Sequence, residues 1–423
     1  MTRGIAQSGS RDVRILALLV VPLLVWTLSG VATAQVTEVR IGATAPLTGP
    51  AAEAGVAMRQ GIEMAAEEIN AKGGVKLGDR RVPLKVLVED NQSKAEVGVS
   101  GGEKLITRDK VHYLISDAFH SHVTMAAMEL APKYKIPVVS AQPVSEEIVK
   151  KVLSNPERYR YYWKGDFGST AYANAFFGTV QWLIEKKHLT PRTKTVAFLI
   201  EDTDYGRSNA QRARELFEGI GWRTVAMETV PIAHSDFYPQ LGKLRSENPD
   251  ALMTVFTALS SGVALAKQFS ELGVKAVHMA IYYPIRPEFI PQAGPAAQGL
   301  LWAPLSFDPN AVAHQRDFAR RTREKFNVVP NSDHAYGYDA IYNAVDSIER
   351  AGTVEPAKVI EAVAKLDRKG IIGRYQFDQR THQAKDGPEF IPVPTAQIQD
   401  GKNLIVWPEG MGAGKYVPQP WTK

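Results

Sequence analysis

The sequence contains no cysteine among its 423 residues. This absence excludes disulfide bonds, thiolate metal sites and the lipid-modified N-terminal cysteine of a lipoprotein. The fold must therefore be stabilised by burial of apolar side chains. A chain of this length exceeds one ordinary core and is long enough for two, so we expect two lobes.

Long apolar runs are also scarce. The run at residues 15–28 follows an arginine-containing segment and precedes Ala32-Thr33-Ala34. It is shorter than the roughly 20 residues that a membrane-spanning helix needs, and its flanks are typical of a secretory leader. We expect residues 1–34 to be a signal peptide and the mature protein to be soluble, periplasmic and without a lipid anchor.

Two further absences narrow the function. The formal net charge is +5, and the clustered Lys/Arg stripes that favour nucleic-acid binding do not occur. No nucleophile elbow, metalloprotease helix motif or dinucleotide-binding glycine pattern is present. The sequence therefore predicts a protein that is not an enzyme, uses no cofactor and binds no nucleic acid.

Apolar runs alternate with amphipathic segments through the rest of the chain. Residues 39–43 and 136–140 have strand character, whereas residues 56–70 and 124–134 have helical character. This alternation predicts an α/β fold with parallel sheets. Because the same rhythm restarts near residue 170, we expect two Rossmann-like lobes.

The loops that follow predicted strands are the expected ligand-binding positions, because ligands of open parallel sheets bind at the carboxyl ends of the strands. These loops are PLTGPAAEAG (46–55), DAFHSH (117–122), SAQPVS (140–145), EDTDYG (201–206) and IYYPIRPE (281–288). In the first loop, Gly49 and Gly55 leave the main chain bare, and the following helix start offers N–H groups to a polar ligand. It is not a phosphate loop, because Lys and Ser/Thr do not follow the second glycine.

The string IGATAPLTGPAAEAGVAMRQGIEMAAEEINAKGGV, residues 41–75, resembles the N-terminal signature of the leucine/isoleucine/valine-binding protein family. LVEDNQSKAEVGVSGGEKLI, EDTDYGRSNA and NPDALM resemble further segments of that family. The resemblance covers nearly all of the chain after residue 34. It implies a receptor that binds a small solute and delivers it to the permease subunits of an ABC importer, and we expect it to be a monomer.

The resemblance also implies the type I periplasmic binding fold, in which three crossover strands join two lobes around a ligand cleft. Residues 35–163 with 305–371 are then the N-terminal lobe. Residues 164–304 with 372–423 are the C-terminal lobe. Affinity in this design comes from closure of the lobes on the ligand.

Several family positions at the ligand are matched. Ser121 stands where a family serine holds the ligand carboxylate, and Tyr205 stands where an aromatic side chain covers the ligand. Gln142 and Val144 belong to the loop that meets the head of the ligand, although Val144 replaces a threonine acceptor.

Two other positions depart from the family. Tyr282 or Tyr283 replaces the acidic residue that binds the ammonium of an amino acid, and Ala54 replaces an aromatic lid. A buried ammonium without an acidic partner costs several kcal/mol, so these departures favour a ligand without an α-ammonium. We expect a small carboxylate, preferably aromatic.

Three more side chains are candidates for ligand contact. Phe119 supplies a ring for stacking, and His120 or His122 can donate to a carboxylate or phenol oxygen.

Several alternatives stay open. A true branched-chain amino acid or amide binder would need Glu288 to supply the missing acid, or else one of Glu201, Asp202 and Asp204. A ligand-sensing regulator of the same fold is a further alternative.

A hydrolase is another, and its catalytic set would consist of Asp117, His120, Ser121 and Asp204. A metal site would require His120 and His122 together with His334, but we expect no metal.

Overall fold

The computed structural model describes Met1 and residues 35–304, 306–412 and 414–418. Residues 2–34 of the predicted signal peptide lie outside the described residues. From Thr37 onward the chain forms one compact unit. Within the described residues, no helix has both the length and the apolar character needed to cross a membrane.

The strands, in chain order, have the following bounds. They are β1 (Val39–Ala45), β2 (Val75–Leu77), β3 (Arg80–Val82), β4 (Leu84–Asp90), β5 (Tyr113–Ile115), β6 (Val138–Ser140), β7 (Tyr162–Lys164), β8 (Thr195–Glu201), β9 (Arg223–Val230), β10 (Ala251–Phe256), β11 (Val277–Tyr282), β12 (Leu301–Ala303), β13 (Asp367–Lys369), β14 (Arg374–Gln376), β15 (Thr395–Gln399) and β16 (Lys402–Trp407).

The α-helices alternate with these strands. They are α1 (Ala52–Ala71), α2 (Ala95–Thr107), α3 (Ser121–Ala127), α4 (Leu130–Tyr134), α5 (Glu146–Ser154), α6 (Ser169–Glu185), α7 (Asp204–Glu218), α8 (Tyr238–Glu247), α9 (Leu259–Leu272), α10 (Phe289–Ala293), α11 (Ala313–Phe326), α12 (Ser332–Ala351) and α13 (Pro356–Ala364). Short 3₁₀ turns occupy Tyr283–Ile285 and Gly294–Ala297.

Two larger sheets organise the fold. The first has the strand order β4-β1-β5-β6-β7, and all its neighbouring strands are parallel. The second has the order β16-β15-β12-β11-β10-β8-β9, in which β8 to β12 are parallel and β15 and β16 form an antiparallel edge. Most parallel strands are buried along their whole length, as expected for sheets covered on both faces. The predicted α/β fold with parallel sheets is confirmed.

One helix predicted from the sequence is divided in the structure. The segment 124–134 contains the end of α3 and all of α4. Pro132 has no N–H to donate, and its ring would collide with the carbonyl four residues earlier in a continuous helix. The break therefore falls at Met128 and Glu129.

Helix α12 packs against α1 with almost no space between the two backbones. A Cβ on Gly61 of α1 would lie 1.9 Å from the carbonyl oxygen of His334, and one on Gly337 of α12 would lie 2.1 Å from that of Met58. This contact holds the N-terminus of α12 beside α1, the helix that follows the first strand of the first sheet. It thereby positions Asp333 near the site described next.

Candidate ligand-binding site

A narrow pocket lies where loops at the carboxyl ends of both sheets meet. The loops after β5 and β6 contribute Phe119, His120, Ser121, His122, Gln142 and Val144. Elements on the side of the second sheet contribute Tyr172, Glu201, Thr203, Tyr205, Thr257 and Tyr282. This placement agrees with the rule that ligands of parallel sheets bind at the strand ends.

Most of the side chains predicted to contact the ligand come together here, and two do not. Tyr283 lies in the core of the second sheet, where its hydroxyl is 3.0 Å from the Thr254 hydroxyl and its ring lies against Gly262. Ala54 is fully buried in α1 and does not line the pocket.

The glycine-containing loop at residues 46–55 is also outside the pocket. The backbone N–H groups of Leu47 and Thr48 donate to the carboxylate of Asp90, at 2.9 and 3.2 Å. A Cβ on Gly55 would lie 1.9 Å from the carbonyl oxygen of Pro46. The anion at this loop is therefore the protein's own carboxylate, and Gly55 is required by chain packing rather than by a ligand.

A buried carboxyl group shapes the loop after β5. Asp117 accepts hydrogen bonds from the backbone N–H groups of Phe119 and His120, at 3.1 and 2.7 Å, and from the Asn91 amide at 3.0 Å. Burial raises the pKa of Asp117 to about 8. The turn that Asp117 holds presents His120 and Ser121 to the pocket.

His120 has free hydrogen-bonding capacity in this pocket. Its side chain is 3% exposed, and neither ring nitrogen has a hydrogen-bond partner among the described residues. Its Nδ1 is 4.0 Å from the carboxylate of Asp117. Burial, assisted by neighbouring His122, lowers the pKa of His120 well below its ordinary value, so the ring is neutral and has one donor and one acceptor to offer.

Ser121 connects the loops after β5 and β6. Its Oγ accepts hydrogen bonds from the N–H groups of Val144 and Ser145, at 3.2 and 3.1 Å. Because a hydroxyl accepts at most two hydrogen bonds, Ser121 retains its O–H to donate. The N–H of Val144 is already occupied, whereas the Oε1 atom of Gln142 has no partner among the described residues.

On the opposite wall, the buried carboxylate of Glu201 accepts three hydrogen bonds. The Thr257 N–H and hydroxyl donate to Oε2, both at 2.8 Å, and the Thr203 hydroxyl donates to Oε1 at 3.1 Å. Burial raises the pKa of Glu201 to about 7 despite these hydrogen bonds. Glu288, by contrast, is exposed at the start of α10 and does not line the pocket.

Four aromatic rings line the pocket. The centroids of Phe119 and Tyr282 are 5.3 Å apart, and those of Tyr172 and Tyr205 are 6.3 Å apart with the rings edge to face. Sequence reasoning missed Tyr172 because it lies on helix α6 rather than in a strand-end loop. It also missed Thr257, although its position directly after β10 was a usable signal.

Tyr282 has a strained backbone, with φ 78° and ψ −54°. This region is rare for a residue with a side chain and costs on the order of 1–3 kcal/mol. The Tyr282 hydroxyl donates to Asp333 Oδ1 at 2.8 Å and accepts from Arg286 Nη2 at 2.7 Å. Arg286 also pairs with Asp333, and the two side chains are only 2% and 0% exposed. The pocket wall is thus tied to helix α12.

The hydrolytic set and the three-histidine metal site considered from the sequence each have a member that is held by other partners. Asp204 pairs with Arg207, and His334 hydrogen-bonds to Asn331 and Gln60. Among the residues for which the structure gives positions, no group of three or more His, Asp or Glu could hold a metal ion.

A larger cavity of about 640 Å³ lies elsewhere, lined among others by Trp302, Phe307, Val329 and Lys402. Among the described residues, segments that follow β11 and β12 of the second sheet line it, whereas the loops after the strands of the first sheet do not. The smaller pocket is lined by loops from both sheets and also contains the unpaired nitrogens of buried His120, so we take it as the candidate ligand site.

Two largely parallel sheets with a pocket between the carboxyl ends of their strands match the type I periplasmic binding fold. The sequence model of a family described as Periplasmic binding protein matches residues 38–401. The chain belongs to this family. The resemblance to leucine/isoleucine/valine-binding proteins seen in the sequence is confirmed.

Individual relatives are distant. The Leu/Ile/Val-binding protein homolog 2 of Brucella abortus is 23% identical over 369 residues, covering 86% of this chain and 92% of the relative. A solved structure from Silicibacter pomeroyi, assigned to a branched-chain amino acid ABC transporter, has a TM-score of 0.78 at 24% identity. The match covers 91% of this chain and 100% of the Silicibacter chain.

Two further solved structures contain ligands. The substrate-binding protein LivJ from Streptococcus pneumoniae, in complex with isoleucine, has a TM-score of 0.72 at 22% identity over 86% of this chain and 97% of its own. A solute-binding protein from Rhodopseudomonas palustris, in complex with 3,4-dihydroxybenzoic acid, has a TM-score of 0.72 at 21% identity. The match covers 87% of this chain and 95% of the Rhodopseudomonas chain. At these identities the structures show the fold.

Proposed function

We propose that the protein is the periplasmic substrate-binding component of an ABC importer of the branched-chain amino acid type. It is exported by its leader, acts as a monomer and delivers its ligand to membrane permease subunits. The observation that carries this proposal is the pocket between the strand-end loops of the two sheets. The family match supports it.

We further propose that the two sheets belong to lobes that close on the ligand. The first lobe comprises residues 35–163 with 305–371, and the second comprises residues 164–304 with 372–423. The pocket has a cavity volume of only about 20 Å³, which is room for one water molecule. A ring-sized or leucine-sized ligand therefore requires the walls to move apart, as hinge motion between lobes would allow.

The proposed ligand is a small aromatic carboxylate without an α-ammonium. Its ring would lie among the four aromatic side chains of the pocket. Its carboxylate would face Ser121, which retains a hydroxyl proton, and the unpaired nitrogens of His120. Tyr282 stands where an acidic partner for an ammonium would be expected, and its hydroxyl is committed to Asp333 and Arg286.

A branched-chain amino acid is the second candidate, and a specific observation favours it. Glu201 places a carboxylate in the pocket, and the unpaired Oε1 of Gln142 is a further acceptor for an ammonium. Three hydrogen bonds from Thr203 and Thr257 already occupy most of the acceptor positions of Glu201. The one position left on Oε1 suits a single donor better than an ammonium with three N–H groups, so the aromatic acid remains the first proposal.

A ligand panel tests the two candidates. We expect benzoate-like and phenylpropanoid acids to raise the melting temperature of the mature protein. Leucine, isoleucine and valine should bind about a hundredfold more weakly. Val144 and Tyr282 replace the threonine and the acidic residue of the family, so two partners of the ammonium are missing, and each charged hydrogen bond is worth about 1.5–3 kcal/mol. Thermal shift identifies the binders, and calorimetry then gives their dissociation constants.

A matched pair of variants checks that binding occurs in this pocket. Tyr205→Ala should weaken the best binder about tenfold or more through loss of ring contact, whereas Tyr238→Ala, which alters an exposed tyrosine that does not line the pocket, should leave its affinity unchanged. Clear stabilisation by leucine with none by the aromatic acids would refute the first proposal.

A further inference from the structure

We propose that Glu201 determines ligand specificity by accepting a hydrogen bond from a donor group of the ligand, which in the proposed aromatic acids is a phenolic hydroxyl. The inference rests on the proposed function and adds a chemical requirement to it. The ligand must carry a carboxylate at one end and a hydrogen-bond donor at the other.

The geometry of Glu201 supports this role. The side chain is 2% exposed and lines the pocket at the end of β8. A carboxylate offers about four acceptor positions, and three of them are taken by Thr203 and Thr257. The threonines hold the carboxylate in one orientation and leave Oε1, which has a single partner, able to accept another hydrogen bond.

The distribution of charge in the pocket decides how the ligand is oriented. No lysine or arginine is among the residues that line this pocket, and Glu201 is the acidic one. A ligand carboxylate would be repelled by Glu201, so it must lie near His120 and Ser121 on the other wall. A group pointing from the ring toward Glu201 must then donate a hydrogen bond, because an apolar group would leave the remaining acceptor unpaired.

The experiment compares benzoate, the three monohydroxybenzoates and leucine on the wild type and on Glu201→Gln. In the wild type, we expect at least one hydroxybenzoate to bind about tenfold more tightly than benzoate. In Glu201→Gln this advantage should fall below about threefold, while the affinity for benzoate itself is retained or increased because the repelling charge is removed. Asp202→Asn is the matched control, because Asp202 is the adjacent acid, is exposed and pairs with Arg207.

The possible outcomes separate this inference from the proposed ligand class. If hydroxybenzoates bind and Glu201→Gln leaves their advantage over benzoate unchanged, the role of Glu201 is wrong while the aromatic ligand stands. If leucine binds instead and Glu201→Gln abolishes its binding, the proposal of an aromatic ligand is wrong. The role of Glu201 as the acceptor of a hydrogen bond from the ligand would still hold. If none of the compounds binds the wild type at millimolar concentration, both proposals fail.

The pH dependence of binding supplies an independent readout. The other titratable groups that line the pocket with Glu201 are His120 and His122, at the start of α3, and Tyr172, Tyr205 and Tyr282, on α6, α7 and β11. Burial lowers the pKa of both histidines and raises the pKa of all three tyrosines, so these groups stay neutral near pH 7. Among the residues that line the pocket, Glu201, whose pKa burial raises to about 7, is therefore the group that titrates there; Asp117, whose pKa burial raises to about 8, holds the turn that carries His120 and does not line the pocket.

The sign of the pH effect differs between ligands. An ammonium at Glu201 favours the ionised carboxylate and lowers its pKa, so leucine would release protons on binding and its affinity would rise as pH increases through 7. Benzoate adds a negative charge without a donor and raises the pKa, so its affinity should fall over the same range. Calorimetry from pH 6 to 8 measures both slopes, and Glu201→Gln should reduce both to the smaller effect of Asp117, which does not line the pocket. A slope as steep in this variant as in the wild type contradicts the assignment.

Discussion

Arg286→Leu is expected to weaken ligand binding by a hundredfold or more and to enlarge the protein in solution. Arg286 belongs to the segment after β11, and its partner Asp333 belongs to α12, which packs on α1. The two side chains are almost fully buried, and Tyr282 bridges them beside the pocket. We therefore expect this three-residue contact to stabilise the closed arrangement of the lobes.

The size of the effect follows from the electrostatics. Removal of one partner of a buried ion pair leaves an uncompensated charge and costs about 3–5 kcal/mol. A hinged protein can avoid this cost by opening, because Asp333 would then be hydrated. The penalty would fall on closure rather than on folding, so the affinity for a ligand held by closure decreases by a similar free energy.

Small-angle scattering and calorimetry with the best binder of the panel measure the two consequences. The radius of gyration in the presence of ligand should exceed that of the wild type. Arg320→Leu, which removes exposed pairs on α11, is the control and should change neither quantity. The double variant Arg286→Leu/Asp333→Leu should recover part of the affinity, since no unpaired charge remains.

Tyr282→Phe provides a milder test that does not depend on the stability of Arg286→Leu. It removes the bridging hydroxyl and should weaken binding about tenfold. An unchanged radius of gyration together with unchanged affinity in Arg286→Leu would contradict the role of the contact in closure.

Gly337→Ala should lower the free energy of unfolding by about 3 kcal/mol. The added methyl group would lie 2.1 Å from the carbonyl oxygen of Met58, and a backbone atom cannot move aside as a flexible side chain can. Helices α1 and α12 must separate, and overpacking of this kind costs typically about 1–3 kcal/mol and occasionally more.

The sign of this change distinguishes packing from helix propensity. Gly→Ala inside a helix normally stabilises a protein by about 0.5–1 kcal/mol. Gly242→Ala is the matched control, because Gly242 lies within α8 and an added Cβ would meet nothing within 4 Å. Urea unfolding should show Gly242→Ala at or above the wild-type stability. Equal stability of Gly337→Ala and wild type would show that the helices do not pack so closely.

The sequence by itself determined the alternation of strands and helices, the parallel sheets and the family. These features follow from local patterns, because a strand buried on both faces needs a continuous apolar run and a helix needs apolar residues at a spacing of three and four. It also predicted as ligand-binding positions the loops after β5, β6, β8 and β11, which contribute residues to one pocket, since parallel strands align their carboxyl ends on one edge.

The choice between neighbouring side chains depended on tertiary structure. Tyr282 and Tyr283 are adjacent in the chain, yet only Tyr282 lines the pocket, because its positive φ turns the chain at the end of β11. Glu201 and Glu288 were both candidate acids, and they differ in that Thr203 and Thr257 surround the first while the second is exposed.

The remaining differences arose from residues far apart in the chain. Asp90 occupies the loop at residues 46–55 because β4 lies beside β1 in the sheet, and Arg286 meets Asp333 because two glycines bring α12 against α1. A period in the sequence reports which face of an element is buried. It contains no information on which distant charge or backbone group will lie opposite that face, and this is what the tertiary contacts decided.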